Sequence, residues 1–274
     1  AIFNSTMKDF EVIVVSDNST DNSINIAKNY QCKIIELPEN KGPSYARNIG
    51  AREAKGEMIF FVDSDVIIKN NALKCVSEKF NDSEVSAIQG IYSHDPDYKN
   101  ILTQYQQSYT NYYIWPKKIK YASTLSTCCF AIRRKVFLLF KGFNTGIKKA
   151  TCEDEEFGYN FIEKGFNIII LRELVVVHRV HYSFKHFITR TFNRYTSHMK
   201  SYLRNKTLMN KIKQLNYIKV IAGLPIIFLI ILLGFILLIQ PINQIWIIFL
   251  ILNLFFLSLH AGFIKFVTFS KGFS

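Results

Sequence analysis

Acid is missing from the last part of this chain: positions 174–274 hold no Asp or Glu, although 12 of the 34 Lys and Arg lie there. The formal net charge of +13 is therefore almost wholly C-terminal. Those cations cluster beside a long apolar stretch, and no base-reading module accompanies them, which argues against nucleic acid as a partner. Cysteine is also scarce. Cys32, Cys75, Cys128, Cys129 and Cys152 form no CxxC pair, which argues against a zinc site and a secreted disulfide framework and fits structural thiols in a reducing compartment. No N-terminal signal peptide is visible in the chain, which starts at Ala1.

Charge is absent altogether from residues 220–239. At 1.5 Å per residue such a helix spans about 30 Å, the thickness of a bilayer's hydrocarbon core. Residues 245–264 form a second run of that length, interrupted only by Asn253, Ser258 and His260. With the uncharged link 240–244, the pattern predicts a transmembrane hairpin over 218–267. Cations flank it on both sides, ten from Arg179 to Lys219 and then Lys265 and Lys271. The positive-inside rule therefore places the preceding domain and the tail, 268–274, in the cytosol as parts of a multi-pass membrane protein. Just before the hairpin, Phe184, Phe187, Ile188, Phe192, Tyr195, Met199, Tyr202 and Leu203 recur at helical spacing among Lys185, Arg190, Arg194 and Lys200. This basic amphipathic segment, 183–217, is suited to membrane lipid, where each cation near an anionic leaflet contributes on the order of 1 kcal/mol. An ordinary solvated helix face is the alternative.

The first 182 residues read as α/β. Strands are expected at 11–15, 33–37, 58–62, 85–91, 125–132 and 167–171, with helices at 43–54, 72–80, 98–115, 134–140 and 153–164. Alternation of this kind predicts βαβ units around a mostly parallel sheet, with ligands at the carboxyl edges of the strands. The near-continuous apolar run 58–62 is expected to be buried on both faces.

At the end of that run stand Asp63 and Asp65. Two carboxylates so close repel unless a cation joins them. Hard oxygen donors suit Mg²⁺ or Mn²⁺, ions that share their coordination with substrate phosphates. Alone, an Asp-x-Asp pair is as readily a solvated surface turn.

The surroundings are more specific. Gly42-Pro43-Ser44-Tyr45-Ala46-Arg47-Asn48-Ile49-Gly50, then Ala54-Lys55-Gly56-Glu57 and Phe60-Phe61-Val62-Asp63-Ser64-Asp65, resemble in order and spacing the corresponding passage of family 2 glycosyltransferases. Residues 11–21 look like that family's nucleotide-binding strand and turn, except that Ser16 stands where many members carry Asp. Glu153-Asp154, preceded by 124–134 and Gly142-Phe143, looks like the acceptor-side half with its Glu-Asp pair.

The resemblance implies a GT-A fold and a nucleotide-sugar donor, a UDP-linked sugar being favoured. Asp17, Arg47 and Asp63 would contact the nucleotide, Asp63 and Asp65 the metal, and Asp154 would be the catalytic base of an inverting transfer to a hydroxyl of a glycan or lipid-linked acceptor. His178 occupies a place where related enzymes often carry a His, so it either completes the metal shell or is a packed structural residue. No Q-x-x-R-W motif stands near Arg194-Tyr195, which argues against a processive polysaccharide polymerase. The family's opening strand has no counterpart, and residues 1–8 look like the end of the helix that would follow it, so a missing first βα unit is expected. Two rivals remain: a polyprenyl-phosphate glycosyl synthase, whose ionised acceptor needs a base less, and a non-catalytic membrane protein that binds anionic lipid.

Overall fold

The computed structural model describes residues 1–93, 100–114, 120–122, 125–204, 248 and 250–254. The chain divides into two compact units, Ala1–Ser197 and His198–Ser274. Nearly all of the hairpin expected at 218–267 lies outside the described residues. Within it, 250–254 are helical, and no helix among the described residues is long and apolar enough to cross a membrane.

The elements follow in chain order as β1 (Ile13–Ser16), α1 (Ser23–Ala27), β2 (Lys33–Glu36), α2 (Pro43–Glu53), β3 (Met58–Val62), β4 (Val66–Ile68), α3 (Ala72–Phe80) and β5 (Ala87–Tyr92). After these come α4 (Ile101–Ile114), β6 (Cys129–Arg133), α5 (Arg134–Leu139), α6 (Glu153–Glu163), β7 (Ile168–His178) and α7 (Phe184–Arg204). The expected parallel βαβ unit is present as β1-α1-β2. The larger sheet, ordered β3-β6-β5-β7-β4, is mixed. Its β5–β7 pair is parallel, while β3–β6, β5–β6 and β4–β7 are antiparallel.

Two readings need correction. Residues 1–8 contain a single 3₁₀ turn at Ile2–Asn4 where a helix end was expected. In β3 burial alternates, with Ile59 and Phe61 buried and Met58, Phe60 and Val62 only partly so. β3 is an edge strand of its sheet. Burial on both faces falls instead to β6, where Cys129, Phe130, Ala131 and Ile132 are all within 1% of complete burial.

Helices cover both faces of this sheet. On one side α2, α5 and α6 enclose a phenylalanine-rich core of Phe61, Phe130, Phe137, Phe143, Phe157 and Phe161. On the other, Ala72, Val76 and Phe80 of α3 pack on Ile88, Ala131, Leu174 and Val176. Burying side chains of this size stabilises by about 1.5–3 kcal/mol each before ordering costs.

One contact joins the halves of the motif-bearing region. The buried Asn48 side chain of α2 donates to the Phe143 carbonyl and accepts the Phe143 N–H, both at 2.8 Å. This seats the turn after α5, where Lys141 and Gly142 take positive φ of 61° and 76°. A Cβ on Gly142 would lie 2.3 Å from Asn48 Oδ1, so only glycine fits.

Candidate active site

The carboxyl end of β3 delivers Asp63, and α2 brings Arg47 to it. The guanidinium donates to Asp63 Oδ1 at 2.9 Å through one arm and to Glu153 Oε1 at 2.9 Å through the other. Glu153 opens α6 and is almost wholly buried. Burial works against the Arg47 charge, but Asp63, Glu153 and Asp154 outweigh it and raise the guanidinium's pKa. A planar fork with fixed N–H directions suits this two-sided bridge in a way a lysine ammonium does not.

Asp65 has a different partner. Its Oδ2 lies 3.2 Å from Nε2 of His178, the last residue of β7. The short strand β4 immediately after Asp65 pairs with β7, so Val66 stands opposite His178. The hydrogen bond with His178 holds the Asp65 carboxyl below its ordinary pKa although partial burial opposes it. The expected Asp63/Asp65 repulsion is thus relieved by separate partners, Arg47 for one acid and His178 for the other.

Asp17 follows β1, and both of its oxygens accept backbone N–H groups, from Lys41 and Gly42, at 2.7 Å each. Gly42 has φ 89°, and its Cβ would strike the Lys148 carbonyl at 2.2 Å. Pro43 then starts α2. Asp17 therefore fixes the entry of the helix that carries Arg47.

Asp154 stands on the first turn of α6. Its Oδ2 accepts the Thr127 N–H at 3.2 Å and its Oδ1 the Glu155 N–H at 2.9 Å. Loss of water around the half-buried carboxyl, then the neighbouring Glu153 and Glu155, raise its pKa to about 7, while Arg194 and Arg47 pull it back. Arg194 of α7 reaches across to pair with the buried Glu155. Each glutamate beside Asp154 therefore has an arginine from a distant helix.

Asp63, Arg47, Glu153 and Asp154 make one charge cluster linking the end of β3 to the start of α6. Residues 1–140 match the Glycosyl transferase family 2 model. The chain belongs to glycosyl transferase family 2. An uncharacterized glycosyltransferase of Haemophilus influenzae is 41% identical over 76 residues, which is 26% of this chain and 30% of that protein. The poly(ribitol-phosphate) beta-N-acetylglucosaminyltransferase TarS of Staphylococcus aureus is 41% identical over 71 residues, 24% of this chain and 12% of its own. The match thus spans less than a third of either relative.

Solved structures show the same fold. TarS residues 1–349 in complex with UDP-GlcNAc superpose with a TM-score of 0.51 at 20% identity, covering 68% of this chain and 54% of that one. Mannosyltransferase PcManGT of Pyrobaculum calidifontis, in complex with GDP-Man and Mn²⁺, gives 0.56 at 18% identity, covering 74% and 58%.

The chain's own residues offer donors for a divalent ion. Among the described residues no three His, Cys, Asp or Glu side chains converge into a preformed cage. Asp65 with His178, and Asp63 nearby in sequence, nevertheless offer hard oxygen and imidazole donors. A two- or three-donor site completed by phosphate oxygens fits Mg²⁺ or Mn²⁺.

The sequence pattern points to Asp17, Arg47, Asp63, Asp65, Asp154 and His178. It missed Glu153 as the second partner of Arg47 and Arg194 as the partner of Glu155. The only available signal was their position: an acid beside the proposed base, and a cation in a helix otherwise read as lipid-facing.

Proposed function

We propose that this glycosyltransferase is inverting and moves a sugar from a UDP-linked donor to a hydroxyl of an envelope or lipid-linked glycan on the cytosolic side of a membrane. The observation that carries the reading is the Arg47 bridge, which ties the nucleotide-side Asp63 to the start of α6 beside the proposed base. The UDP-GlcNAc held by TarS and the poly(ribitol-phosphate) in that protein's name support a UDP donor and a hydroxyl-bearing acceptor.

In the reaction the acceptor oxygen bonds to the anomeric carbon as the bond from that carbon to the diphosphate oxygen breaks. The leaving nucleoside diphosphate keeps the electron pair. Asp154 takes the hydroxyl proton, and attack from the face opposite the diphosphate inverts the centre. With its pKa near 7, Asp154 is poised for this work, because general bases are most effective near the operating pH. An already ionised polyprenyl phosphate would leave such a base little to do, so the hydroxyl acceptor is favoured. Asp65, His178 and Asp63 would hold a Mg²⁺ or Mn²⁺, which when bound would supply Lewis-acid stabilisation of the leaving diphosphate. Arg47 and Asp63 orient the nucleotide, with Asp17 holding the loop beside it.

The test is donor hydrolysis and transfer by the full chain with UDP-sugars and Mn²⁺. Asp65→Ala is expected to lower the rate by about 10²–10³-fold, as for loss of one group that stabilises developing charge. Undiminished hydrolysis by Asp65→Ala removes the metal assignment, and no UDP-induced thermal shift in the parent favours the non-catalytic lipid-binding rival.

The chain is further proposed to be anchored by a hairpin over 218–267, with α7 at the membrane surface. Exposed Phe184, Ile188 and Phe192 recur every four residues on α7, and Leu250, Ile251 and Leu254 are exposed apolar residues within the proposed second span. The full chain is expected to stay with membranes in alkaline carbonate, and its release there sinks the anchor.

A further inference from the structure

Gln89 is a buried amide in an otherwise apolar part of β5, with 1% of its surface exposed. An amide in such a place costs free energy unless it is hydrogen-bonded, so its partner is informative. Gln89 Oε1 accepts the Ser126 N–H at 3.0 Å. Three residues on, the Tyr92 hydroxyl lies 3.1 Å from Ser126 Oγ and receives the Cys128 thiol hydrogen at 2.6 Å. In a regular strand residues 89 and 92 face opposite sides. Here the β5–β7 register shifts between Gln89 and Ile91, which lets both side chains reach the same segment.

Gly90 makes this irregularity possible. A Cβ there would lie 2.4 Å from Cys129 Sγ and 2.5 Å from the Leu174 carbonyl oxygen. The segment gripped in this way includes Thr127, whose N–H meets Asp154 Oδ2. Burial pushes the Cys128 thiol up to about 12, so that thiol stays protonated and serves as a donor to Tyr92.

We propose that Gln89 is a positioning residue for Asp154, acting through the backbone of Ser126 and Thr127. This rests on the reading of Asp154 as the base. The Thr127 N–H fixes Oδ2 and the Glu155 N–H fixes Oδ1, and each oxygen keeps a second lone pair with which to meet the acceptor hydroxyl. Gln89 holds the Thr127 N–H in register from β5, where it stands opposite Phe130 on the face that α6 covers. Its loss lets the carboxylate wander without touching the donor site, so the effect belongs in kcat.

The test is Gln89→Met in the full chain, which keeps side-chain length and removes the acceptor. The expected result is a fall in kcat of about ten- to a hundredfold, the scale of a small misplacement of a reacting group. Donor KM stays within about twofold, and the acidic limb of the pH profile moves upward because an N–H that favours the carboxylate is lost. In an Asp154→Asn background the same substitution changes the residual rate by less than about twofold, because residues acting as one unit are not additive. An unchanged kcat, or an equal loss in both backgrounds, overturns the proposal. If Asp154→Asn itself keeps full activity, the base assignment has failed instead. Should Gln89→Met not fold, Tyr92→Phe loosens the same segment and is read by the same criteria.

Discussion

Asp154→Asn is expected to lower kcat/KM for transfer by about 10²–10⁴-fold, the usual contribution of a general base. The pH profile checks the cause. With a pKa near 7, Asp154 is protonated and inactive as a base in acid. The parent's kcat/KM should therefore fall below an apparent pKa near 7, and the variant's residual rate should lack that limb. Stability moves the other way. The folded pKa lies above the unfolded value of about 3.9, so the native state binds the extra proton between those values and loses that advantage as pH rises through 7. From pH 5 to pH 8 the stability difference should move in favour of Asp154→Asn by about 1–2 kcal/mol, a figure reduced because the carboxyl is only half-buried. Denaturant midpoints at the two pH values measure it. A flat difference together with an intact acidic limb removes Asp154 from the chemistry.

Much of this arrangement can be read along the chain, and the reason is local. The run Met58–Val62 shows a strand through β-branched and aromatic content, and Asp63 falls at its end wherever the boundary is drawn. Pro43 after Gly42 fixes the start of α2, which puts Arg47 one turn in. What stayed hidden depends on pairing over distance. Glu153 is 106 positions from Arg47, and nothing in the spacing of either residue selects the other. β4 has only three residues, too few to show alternation, and it exists because β7 pairs with it. β7 runs from Ile168 to His178, well past the strand expected at 167–171, because Arg172 and Glu173 interrupt an apolar pattern that resumes beyond them. The mixed order of the larger sheet was illegible for the same reason: β6 enters between β3 and β5, a choice made by the phenylalanine core and not by any local preference.

Arg47 is the other position where a single change should be costly, and here two effects have to be separated. Arg47→Met strips the partner from Glu153, whose side chain is 4% exposed, and from Asp63, at 34%. The well-exposed acid can rehydrate; the enclosed one cannot. Breaking a buried pair from one side costs about 3–5 kcal/mol, chiefly the uncompensated charge left behind. At about 2–4 °C per kcal/mol for a domain of this size, the melting temperature should fall by about 10 °C. Removing both charges with Arg47→Met/Glu153→Gln should restore most of that loss, since an apolar or neutral replacement of a buried pair is often close to neutral. Donor affinity should not return, because the nucleotide still lacks its guanidinium. Thermal melts and UDP titrations of the parent, single and double variants separate the two roles. Recovery of UDP binding along with stability would mean that Arg47 holds α6 in place and does not touch the nucleotide.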